Sequence, residues 1–445
     1  MAAMYRTQGT ATDRKKFTVS MWVKIAKLGS EMTSYQFMDF YGGASDRISL
    51  YHNPTDQLQI YHEKSNSGSN EVAWKSDALL RDKTAWYHLV WRADSTQSTA
   101  ADRFRVYING ELITLNNTTY PSQNFEFAQG TSSYVQYIGR YGGNTNNNFN
   151  GVMSHVNFCD GYSYGPDSFG STDATTGIWK INTSPSVTYG NNGFFLKMED
   201  TSNLDLDSSP NAHTFTTGGG TVTATQDCPS NNFPVLNALN PQTSGYTLAD
   251  GNLSVTGNTG DAWRTMYATI GASSGKYYWE QKITNFTGVD PHYIGIVSDD
   301  QMSNSNIDQA TTSRGYFYTK TGAKRNNNSQ SSYGDSWTTN DIVGIALDLD
   351  NSKLYFSKNG TWQDSGDPTS GSTGTGAAFT ITSGYIYIPA TSTYYSNNQY
   401  QMNFGNGFFG TTAISSEGTN ASNIGKFEYD VPTGYTALST KGLNE

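Results

Sequence analysis

The stretch YGDSWTTNDIVGIALDLDNSKLYFSKNGTW, residues 333–362, decides the fold. Residues 342–348 are apolar at nearly every position, which suits a strand that is buried on both faces. The Asp-Asn pair at 350–351 then reverses the chain, and the aromatic run 354–356 returns antiparallel to the first strand. The Asn-Gly pair at 359–360 favours the positive φ angles of a tight hairpin turn. The stretch therefore predicts two central strands of a β-sandwich.

The composition extends this prediction to the whole chain. A chain of 445 residues fits two domains of roughly 200 residues better than one sandwich. Charged residues make up only 15% and aromatic residues reach 13%, with 30 tyrosines, whereas disordered chains are rich in charge and poor in aromatics. Aromatic and β-branched residues favour strands, and Gly, Asn, Asp and Ser favour turns. We predict an all-β protein with two tandem jelly-roll-type β-sandwiches joined by an extended linker.

The net charge narrows the classes of partner. The chain carries a formal charge of −10, so its surface should repel nucleic-acid phosphates and anionic lipids. No run of 18 apolar residues and no signal-peptide core is present, so we expect a soluble protein. Two cysteines, Cys159 and Cys228, are too few for a disulfide framework, and Cys159 is predicted to be a buried free thiol.

Two combinations of strands characterise the first half. AWYHLVWRAD at 85–94 precedes FRVYINGELI at 104–113, and YIGRYGG at 137–143 precedes FNGVMSHV at 149–156. Short alternating strands with turn signals between them indicate a sandwich or a barrel. Together these motifs resemble laminin-G-like domains, which are concanavalin A-type jelly rolls, over about residues 1–215. His88 and His155 lie on apolar strands and are predicted to be packed residues.

The second half contains the opening stretch and related motifs. Tyr-Tyr-Trp-Glu at 277–280, Tyr-Ile-Gly-Ile at 293–296 and Asn-Phe-Gly at 403–405 occur in one order with Leu-Asp-Leu-Asp and Lys-Asn-Gly. This succession resembles SPRY domains, which implies a bent β-sandwich over residues 246–445 that binds partners and does no covalent chemistry. The proline-containing segment 216–245 is predicted to be an extended linker, because proline is excluded from central strands.

The order of the parts carries a further resemblance. A laminin-G-like domain, the string Asp-x-Pro-Ser-Asn-Asn-Phe at 227–233 and a SPRY domain together are similar to virion proteins of marine tailed bacteriophages. A tail fibre commonly begins with an anchoring segment, whereas here the first predicted sandwich starts close to Met1. We therefore expect attachment through a sandwich face or edge, at a virion position that stays open.

An acidic loop follows the last predicted strand of the first domain. Asp200, Asn203, Asp205 and Asp207, with nearby oxygen-bearing side chains, could supply the six to eight oxygen ligands that calcium takes. Laminin-G-like sandwiches commonly hold calcium in such loops, which is part of what the resemblance implies. Their spacing is not that of an EF-hand, and Asp and Asn are also ordinary turn residues. No cofactor is otherwise required, and calcium is the one candidate ion.

Catalytic patterns are weak. Asp348 and Asp350 lie two residues apart, but the SPRY resemblance makes them residues that end a strand and solvate its turn. GNGFFG at 405–410 matches a dinucleotide fingerprint only by letters, because no helical period follows it. The histidines lack metal-ligand spacing, and no nucleophile elbow is present. The sequence therefore predicts that the protein is not an enzyme.

Aromatic residues in loops remain as candidate contacts. Trp263, Trp362, Tyr394 and Tyr395 fall between predicted strands, beside Asn, Asp and Ser. Aromatic rings with neighbouring amides match the apolar face and polar rim of a sugar, and they also dominate protein-binding loops. The alternative is that these rings fold back over the sandwich edge.

Three functions follow from these observations. The first is a non-enzymatic phage virion surface or appendage protein, resembling a tail or capsid fibre, that binds a host-surface glycan or protein receptor. The second is a structural decoration or connector subunit that binds other virion proteins. The third, a depolymerase of surface polysaccharide, is disfavoured for want of paired acids. We expect a homo-oligomer on the virion exterior, without nucleic-acid binding or membrane insertion.

Overall fold

In the computed structural model the chain divides into two compact units, residues 1–224 and 225–445. The structure describes residues 3–31, 35–44, 46–63, 70–144, 146–239, 245–257, 263–286, 292–302, 314–394 and 397–444. Regular structure within these ranges is almost entirely β-strand, with short 3-10 helices at Gly29–Glu31, Ala100–Asp102, Pro166–Ser168, Asp299–Gln301, Gln363–Ser365, Gly371–Thr373 and Gly442–Asn444. The predicted all-β class is confirmed.

The first unit is built from two main sheets. Its strands are β1 (Ala3–Thr7), β2 (Lys16–Ile25), β3 (Tyr35–Gly43), β4 (Asp46–His52), β5 (Gln57–Glu63), β6 (Asn70–Leu79), β7 (Tyr87–Asp94), β8 (Phe104–Ile108), β9 (Glu111–Leu112), β10 (Leu115–Thr119), β11 (Val135–Ile138), β12 (Gly151–Asp160), β13 (Gly170–Thr172), β14 (Trp179–Ile181), β15 (Phe194–Leu196) and β16 (Thr216–Gly218). The eight-stranded sheet has the order β10-β6-β5-β4-β3-β11-β1-β16, and the six-stranded sheet has the order β15-β12-β2-β7-β8-β9. Strands β13 and β14 form a separate hairpin.

The core of the first unit lies between these sheets. Alternate residues of each strand point inwards, as the period of two in a pleated strand requires. The ring of Phe40 in the eight-stranded sheet lies 5.0 Å from that of Phe158 in the six-stranded sheet. Trp74 packs against Phe104 in the same way, with ring centroids 5.0 Å apart. These aromatic contacts between the layers hold the two sheets of the sandwich together.

Segment 161–190 covers the outer face of the six-stranded sheet. The Thr18 hydroxyl donates to the Tyr162 carbonyl and accepts from the Tyr164 N–H, which ties the segment to β2. Cys159, Phe169, Tyr189 and Phe195 form a small apolar cluster beneath the segment. This outer face is therefore a second core and is closed to solvent over much of its area.

His88 is the polar residue that holds segment 161–190 on the six-stranded sheet. Its ring is stacked against those of Trp22 and Trp179, at centroid distances of 4.9 and 5.9 Å. Trp179 Nε1 donates to His88 Nδ1 at 2.9 Å, so the imidazole proton lies on Nε2, which is 2.9 Å from Ser20 Oγ. A Cβ atom at Gly110 would come within 2.6 Å of the Trp179 ring, so only glycine admits that ring here. Burial lowers the pKa of His88 to about 3.

The second unit also has two main sheets. Its strands are β17 (Tyr246–Ala249), β18 (Ser254–Gly257), β19 (Arg264–Tyr267), β20 (Lys276–Asn285), β21 (His292–Ser298), β22 (Gly315–Thr319), β23 (Ala323–Asn326), β24 (Ser329–Ser332), β25 (Ile342–Asp348), β26 (Lys353–Lys358), β27 (Thr361–Trp362), β28 (Phe379–Thr380), β29 (Tyr387–Thr393), β30 (Gln399–Asn403), β31 (Phe408–Phe409), β32 (Thr412–Ala413) and β33 (Thr436–Ala437). One sheet has the order β17-β18-β30-β20-β25-β26-β27, with β28 on β26 and β33 on β20. The other has the order β19-β29-β21-β22-β23-β24.

The predicted central hairpin is confirmed. Strand β25 is buried at every position and pairs antiparallel with β26, with Val343 opposite Lys358 and Asp348 opposite Lys353. Asn359 and Gly360 have φ angles of 49° and 80°, the left-handed conformation expected for an Asn-Gly turn. Strand β25 is buried on both faces. Val343, Ile345 and Leu347 belong to the core of the unit. On the other face the Tyr278 ring lies over Gly344 and packs against Phe427 of the C-terminal segment, with ring centroids 5.0 Å apart.

That C-terminal segment, residues 404–444, is held by a buried carboxylate. Glu280 Oε1 accepts hydrogen bonds from the Tyr278 hydroxyl at 3.1 Å and the Tyr429 N–H at 2.9 Å. Its Oε2 accepts from Asn403 Nδ2 at 3.1 Å and the Glu428 N–H at 3.0 Å. Burial raises the pKa of Glu280 to about 7, and these four donors oppose the rise. The carboxylate therefore links the sheet to the segment that covers it.

The predicted linker is wrong in its extent. Strand β16, within the expected linker 216–245, pairs with β1 in the first unit. Phe233 is 2% exposed and belongs to the core of the second unit, and the Asn237 N–H donates to the Tyr267 carbonyl at 2.8 Å. The boundary therefore lies between residues 224 and 225. The apolar residues around Phe233 override the proline signal, because burying them is favourable.

The two cysteines differ in their exposure to solvent. Cys159 is a buried free thiol, as predicted, and Cys228 is a half-buried free thiol. Burial raises the pKa of Cys159 well above its ordinary value. Within the described ranges, no helix is long and apolar enough to cross a membrane.

The environment of His88 predicts a pH effect on stability. Its folded pKa of about 3 lies below the ordinary value of 6.5, so the unfolded chain takes up this proton first as the pH falls. The stabilising contribution is thus complete above about pH 6.5 and is lost towards pH 3, by at most about 1.4 kcal/mol per pH unit. We expect His88→Gln to reduce this slope by up to about 1.4 kcal/mol per pH unit, measured as the free energy of unfolding in urea between about pH 7 and about pH 5. The buried His292, whose pKa is also lowered to about 3, should keep its own share of the slope.

The partly exposed His213 provides the comparison, because burial and the nearby Arg6 also lower its pKa but the side chain is less enclosed than that of His88. His213→Gln should keep most of the slope of the parent protein. An identical slope in the parent and in the His88→Gln variant would show that His88 is not the group responsible.

The Glu280 site predicts a specific loss of stability. Glu280→Gln keeps the size of the side chain but turns an NH2 group towards two of the four donors from which the carboxylate accepts. We expect a loss of about 1–3 kcal/mol in the free energy of unfolding near pH 8, with earlier proteolysis within residues 404–444. Glu417→Gln alters an exposed carboxylate on the same segment, 2.8 Å from Lys426 Nζ, and should cost under about 0.5 kcal/mol. Equal losses in the two variants would contradict the assignment.

Candidate functional site

The structure brings two of the predicted loop aromatics together. Arg264 in β19 is opposite Thr393 in β29, so the residues that flank them, Trp263 and Tyr394, become neighbours. The ring centroids of Trp263 and Tyr394 are 5.7 Å apart, and that of Trp263 is 4.6 Å from Tyr293. We call Trp263, Tyr293 and Tyr394 the aromatic corner. Trp263 and Tyr394 are half-buried, so part of each remains available for contact.

The predicted loop residue Trp362 does not join the aromatic corner. Trp362 lies in β27, where its ring packs edge-on against Tyr278 at 6.3 Å and against the core of the second unit. It is therefore one of the rings that fold back over the sandwich. Tyr395 lies outside the described residues, and its proposed role stays a prediction.

The acidic loop is organised by hydrogen bonds within the protein. Asp200 Oδ1 accepts from the Ser202 N–H and hydroxyl at 2.9 and 2.6 Å. Asp207 is buried, and its carboxylate accepts from the N–H groups of Phe195, Ser209 and His213 at 2.8–2.9 Å. Asn203 is exposed and Asp205 is half-buried. Among the described residues, no group of three or more His, Cys, Asp or Glu could hold a metal ion, and calcium at this loop stays a prediction.

The outer face of the eight-stranded sheet carries a set of tyrosines that the sequence analysis missed. Tyr5 is opposite Tyr137, and their ring centroids are 5.6 Å apart. Tyr41 lies on the same face and meets Tyr141 edge-on at 5.7 Å. Tyr61 follows on β5. We call these five residues, with Arg47, the tyrosine face; all six are half-buried, and they lie on strands except Tyr141, which lies on the loop after β11.

Arg47 holds two of these rings in place. Its guanidinium lies 5.0 Å from the centre of the Tyr61 ring and 4.9 Å from that of Tyr141. It also donates a hydrogen bond to the Tyr141 hydroxyl and lies 3.9 Å from Glu63 Oε2. A planar cation between two ring faces limits the rotation of both rings. The tyrosine face is therefore partly pre-organised.

A buried carboxylate supports the loop that carries Tyr141. Asp39 accepts from the Ser49 hydroxyl at 2.7 Å and from the Gly142 N–H at 2.8 Å. Burial raises the pKa of Asp39 to about 6, while these hydrogen bonds and the nearby Arg47 oppose the rise. Asp39 thus holds the loop that carries Tyr141 against the sheet. The tyrosine rings remain on the outer side of the sheet.

The signal for the tyrosine face was present in the sequence. Tyrosine occurs at outward positions of three strands, in MYRT, LQIYHE and VQYI, where the alternate residues are core residues. A search for aromatic residues at the outward positions of predicted strands would have found it. The loop aromatics were predicted instead, because loops usually carry function.

The arrangement at Asp348 agrees with a structural role. Its carboxylate accepts from the Asn351 N–H and side-chain amide at 2.9 and 2.8 Å and lies 3.0 Å from Lys276 Nζ. Asp350 accepts from the Gly275 N–H at 2.8 Å. Both aspartates fasten the turn that follows β25, as the sequence predicted. Nothing in these contacts separates them into the acid and base of a glycosidase.

Comparison with known proteins supports both halves of the fold. Residues 4–162 match the concanavalin A-like lectin/glucanases superfamily, and residues 276–407 match the SPRY domain family. The chain is also 33% identical to the ATP-dependent RNA helicase DDX1 of Xenopus laevis over 126 residues, which is 27% of this chain and 16% of the helicase. It is 32% identical to the Drosophila melanogaster helicase over 99 residues, 22% of this chain and 13% of that protein.

The chain thus spans less than a fifth of the length of these two relatives. Among solved structures, the SPRY domain of human HERC1 is 20% identical, with a TM-score of 0.31, over 38% of this chain and 96% of that domain. Each unit has two main sheets, and each contains one of the two family matches. The chain carries an N-terminal domain of the concanavalin A-like superfamily and a C-terminal SPRY domain.

Proposed function

We propose that this protein is a non-enzymatic bacteriophage virion protein that binds a host-surface glycan or protein receptor. Laminin-G-like and SPRY domains typically bind partners without catalysis, and residues 4–162 and 276–407 match models of these two kinds. The phage assignment is supported by the order of these domains and by the Asp-x-Pro-Ser-Asn-Asn-Phe string between them. We place the protein on the virion exterior or an appendage, as a homo-oligomer that also contacts other virion proteins.

The tyrosine face is the observation that carries this proposal. It presents five half-buried rings, of which four are on strands and two are held by Arg47. Tyrosine offers a large contact area at a low cost in conformational entropy, since few bonds rotate. A rigid sheet lowers that cost further, because the rings are already ordered before binding.

A glycan fits this surface for a chemical reason. Sugar rings have an apolar C–H face that packs on an aromatic ring and a hydroxyl rim that needs hydrogen-bond partners. The tyrosine hydroxyls, Arg47 and Glu63 supply donors and acceptors beside the rings. The overall charge of −10 disfavours polyanionic partners, so neutral surface glycans and proteins suit the molecule better than nucleic acid or anionic lipid.

Removing two rings of the tyrosine face should weaken cell binding. We expect the double variant Tyr137→Ala/Tyr141→Ala to bind host cells at least tenfold less tightly, which is about 1.4 kcal/mol, because both rings lose their contact area. Flow cytometry of labelled protein on a panel of candidate bacterial hosts measures this. Tyr120→Ala removes a half-exposed tyrosine of the first unit that is outside the tyrosine face and should leave binding unchanged.

The same assay separates the alternatives. Periodate treatment of the cells should abolish binding to a glycan, and protease treatment should abolish binding to a protein receptor. No retention on any host cell, together with tight binding to a purified capsid or tail protein, would contradict receptor recognition and favour a decoration or connector subunit.

The aromatic corner should contribute separately. We expect Trp263→Ala/Tyr394→Ala to reduce host-cell retention by a smaller factor of about three to ten, since this corner has fewer exposed rings and the first unit stays intact. Trp362→Ala serves as the comparison, because that ring packs against the core and its loss should lower stability more than binding. An unchanged retention in the Trp263/Tyr394 variant would remove the aromatic corner from the binding surface.

A further inference from the structure

A cavity of about 380 Å³ opens in the second unit at the start of β20. It lies between the turn that follows β25 and the C-terminal segment, and its lining includes Lys276, Tyr277, Asp350, Ser422, Tyr435 and Thr436. Small-molecule sites usually occupy about 300–1,000 Å³, so this cavity suits a ligand at the small end of that range. None of these residues belongs to the aromatic corner.

The charged groups of the cavity are fixed by neighbouring contacts. Lys276 Nζ lies 3.0 Å from the buried Asp348 carboxylate, which balances its charge and uses one of its three donors. One oxygen of Asp350 accepts from the Gly275 N–H, which uses one of about four acceptor sites on that carboxylate. The cavity thus has hydrogen-bonding capacity left on both an ammonium and a carboxylate.

The aromatic residues form a fixed, nearly buried part of the lining. The Tyr435 hydroxyl donates to the Pro368 carbonyl at 3.0 Å, which fixes the ring, and Lys276 Nζ lies 5.8 Å from the centre of that ring. Thr436, the next residue, is 8% exposed, and its hydroxyl oxygen is closed to solvent.

These features select the chemistry of the occupant. An anion would meet the Asp350 carboxylate, and the Lys276 ammonium of the lining is already paired with Asp348. A cation would meet the Lys276 ammonium directly. An uncharged ligand with several hydroxyls avoids both repulsions and can use the remaining donors and acceptors.

We propose that this cavity binds a neutral saccharide of one or two sugar units. The inference rests on the proposed function, because it assigns a terminal sugar of the host glycan to a second binding site, separate from the tyrosine face. The Tyr277 and Tyr435 rings give the apolar side of the site, and Lys276, Asp350 and Ser422 give the polar side. The tyrosine face would then contact the same class of glycan over a longer stretch.

Saturation-transfer NMR on the full chain tests this directly. The probes are glucose, galactose, mannose, N-acetylglucosamine, lactose and maltose, with sialic acid as the anionic probe and choline as the cationic probe. We expect transfer to at least one neutral sugar, and at least tenfold weaker binding of that sugar in Asp350→Asn and in Ala421→Trp. The first variant keeps an acceptor for the Gly275 N–H, and the second places a bulky ring at the edge of the cavity from an exposed position.

Matched variants make the result decisive. Asp364→Asn changes an exposed carboxylate of the same unit outside the cavity and should leave sugar binding unchanged. Transfer to no neutral sugar, transfer only to a charged probe, or equal binding in Asp350→Asn and Asp364→Asn would each overturn the proposal. The Tyr137→Ala/Tyr141→Ala variant should still bind the small sugar, so a failure of the cavity and a failure of the tyrosine face give different results.

Discussion

In a pleated strand every second side chain points away from the core, so each sheet of a sandwich has an outer face that must be covered or exposed. This constraint organises both units. The outer face of the six-stranded sheet in the first unit lies beneath segment 161–190, and the β20–β25–β26 face of the second unit lies beneath residues 404–444. The eight-stranded sheet of the first unit differs, because its outer positions hold half-exposed tyrosines.

The covers are fastened by polar groups rather than by apolar contact alone. A neutral imidazole joins Trp179 to β2, and a buried carboxylate joins Tyr429 and Glu428 to β20. Each group is saturated by directional hydrogen bonds, so each specifies one position of the covering segment. The small cavity beside Lys276 lies where such a cover meets its sheet. A segment that covers a sheet thus closes one face to solvent. At its edge it leaves polar groups, here Lys276 and Asp350, with hydrogen-bonding sites that are still available.

The fold could be predicted largely from local patterns. The run 342–348 and the Asn-Gly pair at 359–360 were sufficient for the central hairpin, because strand burial and turn conformation depend on nearby residues. The linker was predicted poorly, since Phe233 is buried by residues distant in sequence. Its prolines suggested a surface segment, and tertiary packing decided otherwise.

The candidate site could be predicted only in part. Trp263 and Tyr394 meet because β19 and β29 are adjacent, although the two residues are far apart in the sequence. Local patterns cannot supply that pairing. The tyrosine face follows a simple alternation within strands, but it becomes a surface only when β1, β11, β3, β4 and β5 align side by side. Register between strands is therefore the information that single-sequence reasoning lacked.

The contrast between the two thiols has a practical consequence. Cys159 is enclosed beneath segment 161–190 and holds its proton strongly, whereas Cys228 is half-buried in the second unit. An alkylating dye added to the native protein should therefore attach at one position without any engineered cysteine. A fluorophore there would report on the SPRY-containing half while the concanavalin A-like half stays chemically unmodified.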